Sequence, residues 1–132
     1  MLNYPQVALG FMNSDHAEFV ALRKHLLDLL DRGAEVGLID SQLDQLLEHT
    51  RSHFAEEERN MLAVHFPPYP VHKGEHDKVL QDMAHRVARW KDTRDAATLR
   101  DWLEHAVRDW FINHVSSMDF VTAAFISSRG NR

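Results

Sequence analysis

Residues 41–64, SQLDQLLEHTRSHFAEEERNMLAV, are the clearest indication of the fold because their apolar side chains follow the period of an α-helix. Ser41 with Asp44 resembles the capping box that begins many helices, and Pro67 and Pro68 end the pattern. The apolar positions recur on one face of the predicted helix. They are Leu43, Leu46, Leu47, Phe54, Met61 and Val64. The stretch therefore predicts one long amphipathic helix that packs this face against other helices.

The sequence before this stretch predicts a second helix of the same kind. A short N-terminal arm precedes it, and either Asn13 or Ser14 is a candidate for its N-cap. Apolar residues then recur at helical spacing as far as Gly33. We expect a loop over residues 31–40, because two glycines and several polar residues interrupt the pattern there.

The sequence after residue 64 predicts two more helices. Pro70 suits the first turn of the third helix, a turn over 91–95 ends that helix, and the fourth continues to about Ser127. No stretch alternates apolar and polar residues as a strand does. Helices joined by short loops pack as antiparallel neighbours. We therefore predict an all-α, up-down-up-down four-helix bundle with a short N-terminal arm, in one domain over 1–132.

Composition and charge limit the function classes. The 132 residues carry a formal net charge of −5, which argues against a nucleic-acid partner and against binding to an anionic membrane. The absence of cysteine excludes thiol nucleophiles, disulfides and iron–sulfur clusters. We find no signal-peptide pattern and no membrane-spanning run, so we expect a cytoplasmic protein. The ten histidines are far more than a chain of this length usually carries, and they direct attention to imidazole chemistry.

Seven ionisable residues fall on the apolar faces of the four predicted helices. Burying such groups without partners is costly, so something must compensate for them. They are His16, His53, Glu57, His72, His76, His114 and Asp119. Residues four apart on a helix share one face, so both members of the pairs His53 with Glu57 and His72 with His76 can reach the same ion or two neighbouring ions.

The spacing between His114 and Asp119 does not fit a regular helix. Five residues turn an α-helix by about 140° beyond a full rotation, so the two side chains would point apart. A π-helical turn accommodates one extra residue and often occurs at functional sites. If both residues are ligands, the helix must be irregular between Val115 and Met118.

The number of ligand candidates indicates two metal ions. Five imidazoles and two carboxylates are too many for one tetrahedral zinc ion. If both carboxylates bridge two octahedral ions and an oxygen atom also bridges them, one coordination position stays open. Imidazole and carboxylate ligands suit iron, and the open position could take a small ligand such as dioxygen.

These segments resemble the ligand signature of the hemerythrin family, including the bacteriohemerythrin-like proteins with an HHE cation-binding domain. The resemblance covers residues 11–125 and rests on four motifs in order. They are Asp15-His16, HFAEE over 53–57, HKGEH over 72–76 and HVSSMD over 114–119. It implies a non-haem di-iron centre with a bridging oxo or hydroxo group. His72, His76 and His114 would hold one iron, His16 and His53 the other, and Glu57 and Asp119 would bridge.

The resemblance also implies a ligand pocket beside the irons. Trp110 matches a tryptophan that the family places near this pocket, although a core position is an equal alternative. Phe111 departs from the leucine common in the oxygen carriers. Two further candidates for the pocket are Phe54, which directly follows His53, and His49, which lies one turn before it. The alternative for His49 is a position on the helix surface.

Reversible dioxygen binding for storage, delivery or sensing, without catalysis, is the function that the resemblance favours. The alternatives are a di-iron enzyme acting on peroxide, nitric oxide or oxygen, and an iron-buffering module. The Glu-x-x-His motif typical of di-iron enzymes is absent from the chain. We expect His25, His85 and His105 to face solvent, because each lies nine residues from a candidate ligand, and we expect Glu56 and Glu58 to form a solvated face.

Overall fold

The computed structural model describes residues 2–130 and confirms the predicted all-α, up-down-up-down four-helix bundle. No strand occurs among these residues. The helices are α1 (Gly10–Asp31), α2 (Val36–Ala63), α3 (Tyr69–Thr93) and α4 (96–130). Three short loops connect them, so consecutive helices are antiparallel neighbours. No helix of the described residues is long and apolar enough to cross a membrane.

The fourth helix is continuous but contains two π-helical segments. The first π segment is Trp102–Val107, and the second π segment is Val115–Asp119. The second confirms the irregularity predicted from the five-residue spacing between His114 and Asp119. The first was not predicted, because it contains no candidate ligands whose spacing would indicate it. Asp95 caps the start of α4 by accepting from the backbone N–H of Thr98 at 3.1 Å.

The first π segment is stabilised by an arginine from α1. A π turn displaces backbone carbonyls from their regular helical partners. Arg23, which is only 8% exposed, donates from Nε to the carbonyl of Leu103 at 2.7 Å and from Nη2 to the carbonyl of Glu104 at 3.2 Å. One charged side chain thus satisfies two carbonyls and joins α1 to α4.

The predicted loop over 31–40 is wrong in length. Gly33 adopts a left-handed conformation with φ of 65° and ends α1 in a Schellman motif, in which the N–H of Ala34 donates to the carbonyl of Leu29. The next helix begins at Val36, before the predicted cap at Ser41. The reason is Ile39, which is 4% exposed and adds another apolar turn to the core.

The predicted caps at Asn13 and Ser14 are also wrong, because α1 begins at Gly10. The side chain of Asn13 instead accepts from the backbone N–H of Val7 and donates to its carbonyl, at 2.8 and 2.9 Å. This exchange holds the N-terminal arm against the bundle, where Val7 is buried. At the other end of the chain, α4 continues past the predicted end near Ser127 to Gly130.

The buried apolar residues of the bundle form two clusters, one large and one small. The larger cluster contains residues of all four helices, among them Leu26, Leu43, Met83 and Leu103. The smaller cluster contains Met61, Phe66 and Ile126. In α2, His53 and Glu57 come between Leu46 of the larger cluster and Met61 of the smaller one, whereas in α4 the larger cluster continues past Asp119 to Ala123. The candidate ligands are therefore buried among apolar side chains of the core.

Candidate metal centre

The structure brings all seven predicted ligands together in the interior of the bundle. Each is 8% exposed or less, and Glu57 and His76 are fully buried. They form two adjacent groups whose ligand atoms lie within 4.8 Å of one another, and each group has the composition that could hold a metal ion. One group has three imidazoles and the other has two. Both groups contain Glu57 and Asp119.

The three-imidazole group lies between α2, α3 and α4. His72 Nε2 is 3.4 Å from Glu57 Oε1 and 3.2 Å from Asp119 Oδ1. His76 Nε2 is 3.3 Å from the same Glu57 oxygen, and His114 Nε2 is 3.1 Å from the same Asp119 oxygen. Three imidazoles from two helices thus face one oxygen of each carboxylate.

The two-imidazole group uses the other oxygen of each carboxylate. His53 Nε2 is 2.5 Å from Glu57 Oε2, and His16 Nε2 is 2.9 Å from Asp119 Oδ2. Glu57 and Asp119 therefore each present one oxygen to the first group and one to the second. This is the arrangement that a carboxylate needs in order to bridge two ions.

Unpartnered polar atoms in the cluster show that a cation fits it. Glu57 Oε1 and Oε2, Asp119 Oδ1 and the Nε2 atoms of four histidines are buried without a hydrogen-bond partner. The four histidines are His53, His72, His76 and His114. Leaving so many buried polar atoms unsatisfied is costly. Metal ions bound by imidazole nitrogen and carboxylate oxygen would satisfy them together.

Three ligand candidates are oriented by hydrogen bonds from their second ring nitrogen. His53 Nδ1 lies 2.7 Å from Asp15 Oδ2, and His76 Nδ1 lies 2.9 Å from Glu58 Oε2. Because carboxylates accept, both Nδ1 atoms carry the proton. His72 Nδ1 lies 2.8 Å from the hydroxyl of Thr122. Such contacts fix the ring so that Nε2 faces the ion.

Sequence reasoning missed these three outer partners. The prediction that Glu58 belongs to a solvated face is wrong, because this side chain lies against His76. The same prediction for Glu56 is confirmed, because this side chain pairs with Arg59 at the surface. Asp15 and Thr122 also contact histidines of other helices. No spacing within one helix identifies contacts of this kind.

Burial and charge act in opposite directions on the pKa values of the cluster. Burial lowers the pKa of His53, but the close contact of its ring with the negative charge of Glu57, together with the hydrogen bond to Asp15, outweighs burial and raises the pKa to about 9. Burial also lowers the pKa of His72, but the carboxylates of Asp119 and Glu57 outweigh it and raise this pKa to about 9. Burial and the neighbouring Asp119 raise the pKa of Glu57, yet the histidines that face it lower this pKa to about 2. The metal-free cluster therefore favours ion pairs between imidazolium and carboxylate.

A cavity of about 20 Å³ borders His16 and His53, and all four predicted pocket residues line it. Phe54 stacks on His76 with 3.8 Å between the ring centroids, and Trp110 stacks on His114 at 4.9 Å. Phe111 stacks on Phe19 at 4.9 Å. His49 is half-buried, with Nε2 at 3.1 Å from the backbone carbonyl of Asp15. Aromatic rings thus form much of the cavity wall.

The histidines outside the cluster confirm the division made from the sequence. His25, His85 and His105 are exposed, as predicted. His105 lies 3.1 Å from Asp101 on the surface of α4. These side chains are therefore suitable positions for control substitutions.

The comparisons with known proteins agree with this geometry. The model of the hemerythrin HHE cation binding domain matches residues 7–126, a range that contains every candidate ligand. No solved structure matches the chain significantly.

Curated relatives cover most of the chain. The bacteriohemerythrin of Ralstonia nicotianae is 35% identical over 118 residues, which cover 89% of this chain and 81% of the relative. The bacteriohemerythrin of Aquifex aeolicus is 31% identical over 113 residues, or 86% of each protein. The myohemerythrin of Riftia pachyptila is 27% identical over 115 residues, which cover 87% of this chain and 82% of the relative. With the family model, these matches establish that the chain belongs to the hemerythrin family.

Proposed function

We propose that the buried cluster holds two iron ions with a bridging oxo or hydroxo group, and that the protein binds dioxygen reversibly for storage, delivery or sensing. One observation carries this proposal: two adjacent ligand groups share both carboxylates but differ in their number of imidazoles. The group with two imidazoles offers fewer protein ligands to its ion. A small ligand can therefore bind on that side.

The proposed roles follow from the contacts of each residue. His72, His76 and His114 would hold one iron, and His16 and His53 would hold the other. Glu57 and Asp119 would bridge, because each turns one oxygen to either group. An iron pair, when bound, supplies reversible electron transfer to a small ligand.

The outer partners of the histidines keep the ligand nitrogens in place. Asp15 and Glu58 each accept a hydrogen bond from Nδ1 of one histidine, and the hydroxyl of Thr122 is hydrogen-bonded to Nδ1 of His72, so that Nε2 of each ring faces the cluster. Because each partner lies on a different helix from the ring that it contacts, the packing of the bundle sets the ring orientations. The site is therefore preorganised, and metal binding needs little rearrangement.

The size of the cavity supports a diatomic ligand. A volume of about 20 Å³ accommodates little more than one water molecule, so an organic substrate does not fit. Phe19 and Phe111 stack beside the cavity, and Tyr4 of the N-terminal arm packs edge-on against Phe111 at 5.1 Å. These rings restrict the access of bulk water to the cavity.

Nitric oxide is the second candidate ligand, because it is as small as dioxygen and the same cavity admits it. An enzyme acting on peroxide, oxygen or nitric oxide and an iron-buffering module are the alternative functions. These functions differ from reversible dioxygen binding in the fate of the bound ligand. Measurements of the reversibility of binding and of catalytic turnover therefore distinguish them.

Metal analysis of two matched variants tests the proposed centre. Glu57→Ala removes a shared carboxylate and should lose most of the paired iron, whereas His105→Ala, at an exposed position of α4, should keep the iron content of the parent protein. Circular dichroism checks that both variants remain folded. Full iron content in Glu57→Ala, or zinc as the sole metal of the parent protein, would contradict the proposal.

A further inference from the structure

A third group of potential metal ligands lies outside the buried cluster, where α1 packs against α2. It consists of Asp15 and Glu18 of α1 and His49 of α2, and one ligand atom of each lies within 4.8 Å of those of the other two. Asp15 and Glu18 are three residues apart, so they share one face of their helix. Two carboxylates and one imidazole thus come together between two helices, separately from the seven residues of the buried cluster.

The hydrogen bond of His49 determines which of its ring nitrogens can bind a metal. Nε2 lies 3.1 Å from the backbone carbonyl oxygen of Asp15. Because a carbonyl oxygen only accepts, Nε2 carries the proton, and Nδ1 of the neutral ring presents a lone pair. Nδ1 faces the carboxylates of the group and lies 3.8 Å from Oε2 of Glu18. His49 therefore has the orientation of a metal-binding imidazole, whose second nitrogen is held by a backbone carbonyl.

The separation of His49 Nδ1 and Glu18 Oε2 fits two ligands of one ion. At 3.8 Å it is too long for a hydrogen bond, for which the N–H···O range ends at about 3.2 Å. Two ligand atoms that each lie about 2.1 Å from a transition-metal ion are about 3 to 4 Å apart. An ion can therefore lie between the imidazole and the carboxylate without a large movement of either side chain.

No basic residue balances the negative charge of this group. Among the described residues, no lysine or arginine lies within ion-pair distance of Asp15 or Glu18, whose ion-pair partners are histidines. Asp15 uses Oδ2 to accept from His53 Nδ1 at 2.7 Å, which leaves Oδ1 for a cation. The side chain of Glu18 is 64% exposed, so a cation can reach it from solvent. Charge and access thus both favour a bound cation.

The group lies beside the small cavity but is separate from the two-imidazole group that borders it. Asp15 and His49 line this cavity, whereas Glu18 does not. The rings of His49 and His53 are nearly parallel, with 6° between the planes and 6.5 Å between the centroids. An ion held by His49 is therefore a neighbour of the two-imidazole group and shares no ligand with it.

We propose that Asp15, Glu18 and His49 bind one divalent transition-metal ion, with water completing the coordination. The ligand set determines the class of ion, because imidazole nitrogen suits transition metals, whereas Mg²⁺ and Ca²⁺ take oxygen ligands. The site goes beyond the dioxygen-binding function proposed above and does not depend on it, because none of its three ligands belongs to the buried cluster. It is a further metal site of the chain, open to solvent.

Titration with Mn²⁺ tests the proposal on protein whose buried cluster has been loaded with metal and whose metal content has then been measured. Electron paramagnetic resonance reports the free Mn²⁺, whose six-line signal is lost on binding. We expect one Mn²⁺ bound per chain with the buried metal content unchanged. Co²⁺ should displace this Mn²⁺ at lower concentrations than Ca²⁺ does, and His49→Gln, which removes the imidazole, should abolish that preference.

Two carboxylate variants show whether a built site or general surface charge binds the ion. Glu18→Gln removes one ligand charge at an exposed position and should weaken Mn²⁺ binding about tenfold or more. Glu48→Gln is the matched control, because Glu48 is also exposed, directly precedes His49 and pairs with Arg51. It removes the same charge and should bind Mn²⁺ like the parent protein. Three results would overturn the proposal: no bound Mn²⁺ in the parent, equal weakening by both variants, or uptake of Mn²⁺ only in exchange for buried metal.

Discussion

His53 of α2 donates from Nδ1 to Oδ2 of Asp15 in α1 at 2.7 Å, while its Nε2 lies 2.5 Å from Glu57 Oε2. The ring is therefore held from both sides, by an outer carboxylate and by an inner one. Asp15 directly precedes His16, so one turn of α1 supplies both a candidate ligand and the group that orients another. This contact ties the two-imidazole group to the packing of α1 on α2.

Asp15→Ala should release the ring of His53 and weaken metal binding on the two-imidazole side. Loss of a carboxylate that orients a ligand histidine costs about 10- to 100-fold in metal affinity. The measurement is the rate of metal loss to a chelator, together with the metal content after dialysis. Asp28→Ala, at an exposed position of the same helix, is the control and should behave like the parent protein. Equal rates for both variants would contradict the role assigned to Asp15.

Glu58→Ala and Glu56→Ala form a second matched pair. Glu58 accepts from His76 Nδ1 at 2.9 Å, whereas Glu56 pairs with Arg59 at the surface. We expect Glu58→Ala to lower the affinity for metal about 10- to 100-fold and Glu56→Ala to leave it unchanged. Competition with a chelator measures both affinities. If the two variants lose metal equally, the contact with His76 does not support the centre.

Arg23→Met should destabilise the bundle without removing a ligand. The substitution leaves the carbonyls of Leu103 and Glu104 without the guanidinium that satisfies them. Buried carbonyls deprived of a partner cost about 1 to 3 kcal/mol in the free energy of unfolding. Denaturant unfolding measures this loss, and Lys24→Met at the exposed neighbouring position is the control. A change within about 0.5 kcal/mol, typical of a surface substitution, would show that the first π segment does not need Arg23.

Asp40 should make the stability of the bundle depend on pH in the acid range. Its carboxylate accepts from Arg94 at 2.6 and 3.1 Å and from Trp90 Nε1 at 2.8 Å, and so joins α2 to the end of α3. The hydrogen bond from Arg94 lowers the pKa of Asp40, against burial and with help from Trp90. A lowered pKa in the folded state stabilises the protein above the unfolded pKa, about 3.9, and this stabilisation disappears as the pH falls through the folded value.

The comparison of Asp40→Asn with the parent protein isolates this effect. The difference in melting temperature should be largest near neutral pH and should shrink below about pH 4, where the parent carboxylate becomes protonated as well. Asp92→Asn, at an exposed position near the end of the same helix as Trp90, should show no such trend. A difference between Asp40→Asn and the parent that stays constant down to pH 3 would contradict the assignment.

The sequence predicts the helices of this bundle because the spacing of apolar residues within each helix indicates them. It also predicts that the seven candidate ligands meet, because their spacing places them on the apolar faces of those helices. The five-residue interval from His114 to Asp119 even predicts the second π segment. The first π segment depends on Arg23, which reaches α4 from another helix, so no interval within α4 predicts it.

The outer partners of the histidines could not be predicted for the same reason. Glu58 is adjacent to Glu57 and points away from the apolar face on an ideal helix, which is the position of a solvated residue. Only the approach of α3 places His76 against it. The predicted start of α2 at Ser41 is wrong. A capping pattern does occur there, but the helix begins earlier because the additional turn buries Ile39.

Iron analysis combined with absorption spectra across one oxygenation cycle tests whether a di-iron centre binds dioxygen reversibly. The spectra are recorded on the reduced protein before oxygen, after oxygen and after degassing. We expect two irons per chain and a visible band that appears with oxygen and disappears on its removal. Prompt irreversible oxidation, turnover of peroxide or nitric oxide, or zinc as the bound metal would contradict reversible dioxygen binding at a di-iron centre.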